Sequence, residues 1–476
     1  MYKEKCPKEE CPDPKRSKLL PSLRPLNRRS LPSALSFLYY FCMSAPPVHA
    51  IVLTFEDARR AVEEHAAKLR PTGTESVDLL AAAGRVLAEP VFADRDIPPF
   101  ARSTRDGYAV RSADLAQLPA TLDVIAEIKA GEQFGRIPPE IGSGQAAAIM
   151  TGAPVPAGAD AVVMIEYSVE YSTQHGQRVE ITKSVVPGEN VVPRGAEARQ
   201  GTLLLDRGLR LNDAAIALAA SVGKSRLEVY KLPRVAVLTT GDEIVDVSAT
   251  PGPTQIRNSN SYSLAVQIRQ AGGEPVLLPI APDEQEGLRR LIEDGLKADL
   301  LLMTGGVSMG RYDLVEQVLS EMGAEFFFTG AKIQPGRPVV FGKCGAGTCG
   351  AGTPARQGTS VPRASTYLFG LPGNPVSTMV TFELFARPML EALAGQPPRK
   401  LVFLRTRLKS EIRVKTGLTR FLPAILSGEF ENSEVELVAW QGSGDIAATA
   451  RANCYIVIPP DRERIAVGEW VAVMPR

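Results

Sequence analysis

From Pro233 onward, short apolar runs alternate with longer amphipathic stretches. The runs at residues 235–239, 276–280, 300–303, 326–328, 339–341 and 368–369 are too short for buried helices and read as strands. Between them, residues 261–271 and 312–322 carry apolar positions at helical spacing, and Leu288, Leu291, Ile292 and Gly295 share one face of another helix. A last helix runs to about residue 394. Strands alternating with helices predict a largely parallel sheet with right-handed crossovers. The run 300–303 is apolar at every position, so it predicts a strand covered on both faces.

The pattern differs on either side of this region. Thr54-Phe-Glu-Asp57 has the form of a capping box and opens a helix to about residue 69, with Ala58, Val62 and Ala66 on one stripe. A short helix at 79–83 stops at Gly84 and leads into an extended segment at 85–88. Through residues 96–189, β-runs such as 122–125, 146–150 and 161–165 are punctuated by Gly and Pro, which predicts a small inserted β-domain. An Ala-rich helix at 212–221 follows, closed by Gly223. After Pro397-Pro398 the pattern is β throughout, at 400–407, 419–426, 434–439 and 455–458, as in a small barrel or sandwich. The expected organisation is an extension at 1–50, a linker scaffold from 51–95 and 186–230, an inserted β-domain at 96–185, an α/β domain at 231–396 and a C-terminal β-domain at 397–476.

Composition narrows the function classes. Lys and Arg total 54 against 53 Asp and Glu, a net charge of +1, so no global charge argues for a nucleic-acid or membrane partner. The six cysteines form no paired knuckles, which fits a reducing cytoplasm. Cys344 and Cys349 stand in a Gly-rich insertion and read as part of a loop rather than a zinc site. The three histidines all precede residue 200, so histidine acid–base chemistry is not expected among the later glycine turns. Residues 1–50 hold nine basic and four acidic side chains with much Pro and Ser, and read as a disordered extension. The apolar run 31–43 behind Arg28-Arg29 has the outline of a secretion signal, but Met43 as the natural start is the preferred reading.

In parallel sheets ligands bind beyond the carboxyl ends of the strands. Glu243, Asp283, the Thr304-Gly305-Gly306 turn, Asp313, the Pro335-Gly336-Arg337 turn and the turn at 370–377 all fall at such ends or at the following helix starts. Glycine turns expose backbone N–H groups to oxyanions, while hard carboxylate oxygens suit Mg²⁺. Together they suit a phosphorylated ligand held through that ion. Asp106, at an Asp-Gly turn, and Thr151, after the strand ending at Met150, carry by themselves only turn chemistry.

Five segments occur in one order: Asp-Gly-Tyr-Ala from Asp106, Met-Thr-Gly-Ala-Pro-Val-Pro from Met150, Thr-Gly-Asp-Glu from Thr240, Gly-Gly-Val-Ser from Gly305 and Leu-Pro-Gly-Asn-Pro-Val-Ser from Leu371. In this the chain resembles the molybdopterin molybdenumtransferase family, which includes MoeA and the E domain of gephyrin, from about Leu53 to the C-terminus apart from the insertion near residue 350. The resemblance implies an α/β and β multidomain fold. Its parts would be a central three-layer α/β/α molybdopterin-binding domain, an inserted β-domain, a helical/β linker domain and a C-terminal β-barrel, assembled as a homodimer. It implies consumption of adenylylated molybdopterin and molybdate with Mg²⁺ and release of AMP.

The resemblance also assigns residues. It makes Asp106, Thr151, Glu243, Asp283 and Asp313 catalytic, with Glu243, Asp283 and Asp313 at the metal. Substrate binding is expected at Ser443 from the resemblance, and from the turns and nearby cations at Thr304, Gly305, Gly306, Ser308, Lys332, Pro335, Gly336, Arg337, Gly373, Asn374 and Ser377. Asp106 and Thr151 would reach the rim from a partner subunit. The chain departs from the family where two lysines and an arginine are expected, carrying Gly330, Gln334 and Pro423, and has Asn258 at a position that is often aspartate. Lys332 and Arg337 stand near enough in sequence to supply positive charge. The alternatives are the preceding step, adenylylation of molybdopterin, and a non-catalytic scaffold on the same fold. The Asp106 and Thr151 segments and the C-terminal β-domain argue against the adenylyltransferase.

Overall fold

A computed structural model of the chain describes residues 51–132, 135, 140–306, 314–345, 365–397 and 399–476. The expected extension at 1–50, Ser308, Asp313 and most of the cysteine insertion lie outside the described residues.

The central sheet has six strands in the order Glu274–Leu277, Arg234–Thr239, Leu300–Thr304, Thr366–Leu371, Val340–Cys344, Glu325–Phe328. The first three pairings are parallel and the last two antiparallel. The sheet is therefore mixed, and its parallel half carries the crossover helices. Strand side chains alternate between faces, and the two faces bury different partners. Val235, Val237, Leu300, Leu302 and Phe369 face Leu264 and Ile268 of the helix Asn260–Ala271. Ala236, Leu238, Leu301, Met303 and Leu368 face Leu288, Ile292, Val315 and Val318 of the helices Gln285–Gly295 and Leu314–Glu321. This is the three-layer arrangement expected of a strand that is apolar at every position. The edge strand expected at 276–280 instead starts at Glu274 and ends at Leu277. Pro279 lacks an N–H and cannot continue the ladder.

The helix Phe55–Ala66 begins where the capping box placed it, with the Thr54 hydroxyl accepting from the Asp57 N–H at 3.1 Å. Its stripe of Phe55, Ala58, Val62 and Ala66 is buried in the core of the α/β sheet. Further on, Thr74–Asp78 pairs with Arg226–Tyr230 and Val91–Phe92 with Leu203–Leu205. The chain thus leaves this small layer and returns to it after the insertion. The insertion itself is a six-stranded sheet in the order Ala161–Met164, Gly107–Val110, Gln145–Ile149, Ala120–Ile128, Gly176–Ile181, Ser168–Thr173.

The C-terminal strands close into a barrel because Thr419–Ser427 pairs on one side with Glu434–Leu437 and on the other with Cys454–Ile458. Leu404–Leu408 and Trp470–Pro475 complete the circuit. The strand expected at 400–407 is shorter at its start, where Val402 is exposed. The short strand Ile333–Gln334 of the α/β region adds to the barrel alongside Thr419 and Arg420.

Candidate active site

Three adjacent parallel strands, Arg234–Thr239, Leu300–Thr304 and Thr366–Leu371, end on one rim. A cavity of about 370 Å³ opens there, lined by Thr240, Glu243, Asn258, Asn260, Thr304, Gly305, Gly306, Gly373 and Asn374 among others. Gly305 and Gly306 both have positive φ, 89° and 61°. A Cβ at Gly305 would meet the Thr240 carbonyl oxygen at 2.3 Å, so only glycine lets the two loops close.

Asn260 holds the rim together. Its Nδ2 donates to the Thr304 hydroxyl at 3.0 Å and to the Gly373 carbonyl at 2.7 Å. Since a carbonyl only accepts, the amide orientation is fixed and Oδ1 faces away from it. That Oδ1 and the Thr240 hydroxyl oxygen are both buried without a hydrogen-bond partner. Unpaired buried polar atoms are costly, and a ligand offering donors would satisfy both. Asn258 accepts from the Ser261 N–H at 3.1 Å and donates to the Ser261 hydroxyl at 2.9 Å, fixing the helix start.

The acidic loops interlock beside this cavity. Asp283 accepts from the Asp242 N–H at 3.4 Å, and Asp242 accepts from the Asp283 N–H at 3.1 Å. Thr240 and Ala281 form a parallel bridge just before them. Glu243 and Asp283 are therefore on touching loops, though only Glu243 lines the cavity. Hard oxygens of this kind are what Mg²⁺ takes alongside phosphate oxygens and water. Among the described residues no three His, Cys, Asp or Glu side chains group to hold a metal by themselves.

A second cavity of about 580 Å³ shares Pro338, Pro372 and Asn374 with the first. It is lined by Pro335, Gly336, Arg337, Ser377 and Ser443, and also by Lys415, Thr416, Arg420 and Trp440. The Ser443 carbonyl accepts from the Val376 N–H at 3.0 Å, tying the barrel loop to the helix Pro375–Thr381. No carboxylate is among the described residues lining this cavity. Lys332 lines neither cavity; it is exposed, and its backbone is held between Leu53 and Thr419. Lys415 and Arg420 went unread in the sequence because they lie in and before a strand that looks like barrel scaffold. Asn260 was hidden in the same way at a helix start.

Asp106 and Thr151, 45 residues apart, meet: the Thr151 N–H donates to the Asp106 carboxylate at 2.6 Å. This backbone bond, then one from the Thr151 side chain, holds the Asp106 carboxyl below its ordinary range. Gly107, beside it, has a φ of 157° and a Cβ there would overlap the Val163 carbonyl oxygen, so the Asp-Gly turn is obligatory. This pair lines neither cavity of the same chain.

A mixed α/β sheet with a glycine-lined rim, joined through a common wall to a cationic cavity that a β-barrel completes, defines a multidomain binding protein for anionic ligands. Comparison with known proteins narrows the class. Residues 53–223 match the MoeA N-terminal region (domain I and II), residues 236–392 a probable molybdopterin binding domain, and residues 405–475 the MoeA C-terminal region (domain IV). A molybdopterin molybdenumtransferase from Nostoc is 36% identical over 84% of this chain and 88% of its own length. One from Haemophilus influenzae is 32% identical over 89% of this chain and 98% of its own. The crystal structure of a molybdopterin biosynthesis MoeA protein from Pyrococcus horikoshii superposes with a TM-score of 0.68 at 25% identity, covering 89% of this chain and 100% of that one. The chain belongs to the molybdopterin molybdenumtransferase family, a family of enzymes.

Proposed function

We propose that the protein inserts molybdenum into molybdopterin, consuming adenylylated molybdopterin and molybdate and releasing AMP. The observation that carries this is the pair of adjoining cavities, one lined by glycine turns and two residues with unpaired buried polar atoms, the other by Arg, Lys, Ser and Thr residues with no carboxylate among the described lining. The first takes the adenylylated pterin, with the Gly305-Gly306 and Gly373-Asn374 backbone against its phosphates. The second takes molybdate, among Arg337, Ser377 and Ser443. The shared wall at Asn374 sets the two substrates side by side, which is the proximity an insertion reaction requires.

Glu243 and Asp283, with Asp313 in support, would hold magnesium, which would supply charge neutralisation to the pyrophosphate of the substrate. Thr304 contributes a hydroxyl at the rim, where it accepts from Asn260. Asp106 and Thr151 reach the rim from the second subunit of a homodimer, which accounts for an interlocked pair that lines neither of the two cavities described in its own chain. The same reading places the enzyme in the cytoplasm, which suits its cysteine usage. Among the described residues no helix is long and apolar enough to cross a membrane.

The deciding experiment mixes the full chain with adenylylated molybdopterin, molybdate and Mg²⁺. It follows AMP release and the activation of an apo-molybdoenzyme. Both are expected. Consumption of ATP with molybdopterin would identify the adenylylating step, and the absence of any turnover would leave a scaffold.

A further inference from the structure

The strand Ile333–Gln334 runs parallel to the start of Thr419–Ser427, and the register sets Gln334 opposite Arg420. Arg420 is 7% exposed and lines the second cavity. Among the described residues its guanidinium makes one hydrogen bond, from Nη2 to the Lys415 carbonyl, and its Nε–H is buried without an acceptor. Lys415 and Arg337 line the same cavity, together with Ser377, Thr416 and Ser443. No described salt bridge includes Arg337, Lys415 or Arg420. A guanidinium stays charged even where burial disfavours it. A buried cation with open donors and no carboxylate is a site short of an anion.

Among the described residues no acidic partner lines the cavity, and its volume of about 580 Å³ is large enough for a tetrahedral oxyanion. Such an anion accepts at several oxygens at once, which matches a guanidinium fork, an ammonium and hydroxyls. Gln334, uncharged, occupies the position directly across the strand pair. We infer that Arg420, with Lys415, is the principal anion-binding group of this cavity, the positive charge that Gln334 lacks being supplied from the opposing strand. The inference rests on the reading that molybdate occupies this cavity. It adds a substrate-binding residue that neither the turn motifs nor the family resemblance assigns.

Molybdate is the probe, titrated into the full-length protein by calorimetry, with sulfate as competitor; the molybdate KM of the insertion reaction is measured in parallel. Arg420→Gln is expected to weaken molybdate binding and raise the molybdate KM about tenfold or more, as loss of a charge-assisted contact does, with the KM for the adenylylated pterin unchanged. Gln334→Lys placed in the Arg420→Gln background is expected to recover most of the affinity, because it returns a cation across the same pairing; a packing role for Arg420 predicts no such rescue. Lys415→Met is expected to weaken binding in the same direction, which keeps the test open where Arg420→Gln fails to fold. Wild-type binding with unchanged affinity in Arg420→Gln and Lys415→Met would overturn the inference and leave the reading of the cavity standing. A wild-type protein that inserts molybdenum yet shows no saturable molybdate binding at this cavity would overturn both.

Discussion

The Asn260 side-chain amide donates to the Gly373 carbonyl at 2.7 Å, across 113 residues of sequence, while also holding the Thr304 hydroxyl. One side chain thus ties the start of a crossover helix to the ends of two central strands. Asn260→Ala is expected to destabilise the protein by about 2 kcal/mol, as removal of two buried hydrogen bonds does, measured by urea unfolding. Because Oδ1 is also lost to the cavity, the KM for the adenylylated pterin should rise as well. Stability falling without any change in KM would limit Asn260 to a structural clamp.

Gly305→Ala tests the rim itself. The new methyl would lie 2.3 Å from the Thr240 carbonyl oxygen on a backbone with φ of 89°. Displacing that loop should cost about 1–3 kcal/mol and lower AMP release well beyond its effect on folding. Gly84→Ala, also at positive φ but with nothing within 4 Å of the added carbon, is the control for strain alone.

These two sites show what sequence does and does not disclose. Thr304-Gly305-Gly306 was readable because an apolar strand followed by two glycines has one physical meaning, a turn at a strand end. The parallel half of the sheet was readable for a related reason, since strands apolar at every position need two covered faces. Asn260 and Arg420 were not, because each acts through residues distant in the chain. Asn260 looks like any polar residue at a helix start, and Arg420 is one polar position in a β-strand. The antiparallel half of the sheet was likewise hidden, since apolar runs reveal strands but not their direction.

Glu391 gives a pH signature to the fold. It is buried, which alone would raise its pKa, but hydrogen bonds from Arg399 and Arg387 hold the carboxyl below its ordinary value of 4.5. A carboxyl held low in the folded state adds stability above the unfolded pKa and loses it as pH falls through the folded value. Glu391→Ala is therefore expected to cost about 3 kcal/mol at pH 7, as an orphaned buried cation does. The difference from wild type should shrink as pH falls below 4.5. A difference that stays constant with pH in urea unfolding would remove the ion pairs from the account.

The carboxylates of the rim are tested by magnesium titration. Asp283→Ala is expected to raise the Mg²⁺ concentration needed for half-maximal AMP release by about tenfold, the effect of losing one hard ligand. Asp242→Asn separates this from loop damage, since it keeps a side-chain oxygen able to accept from the Asp283 N–H. AMP release by Asp283→Ala that is unchanged at every Mg²⁺ concentration would take Asp283 out of the metal site.

The position of Asp106 makes the strongest demand on quaternary structure. Bound to the Thr151 N–H and lining neither cavity of its own chain, it would act on the rim through the second chain of the proposed homodimer. Assayed at Mg²⁺ well below the half-maximal concentration of Asp283→Ala, the Asp106→Ala and Asp283→Ala chains should each show little activity as purified. Co-expressed with different tags, the two chains of the proposed homodimer would form mixed dimers in which one rim receives an intact Asp106 from the other chain and keeps its own Asp283. The opposite rim lacks both. With random pairing half the dimers are mixed and half their sites intact, so activity should return to roughly a quarter of wild type, as the two-fold symmetry of a dimer dictates. If Asp106 served the rim of its own chain, every site in a mixed dimer would carry one lesion and no activity would return. The recovered fraction therefore reports which chain completes the site.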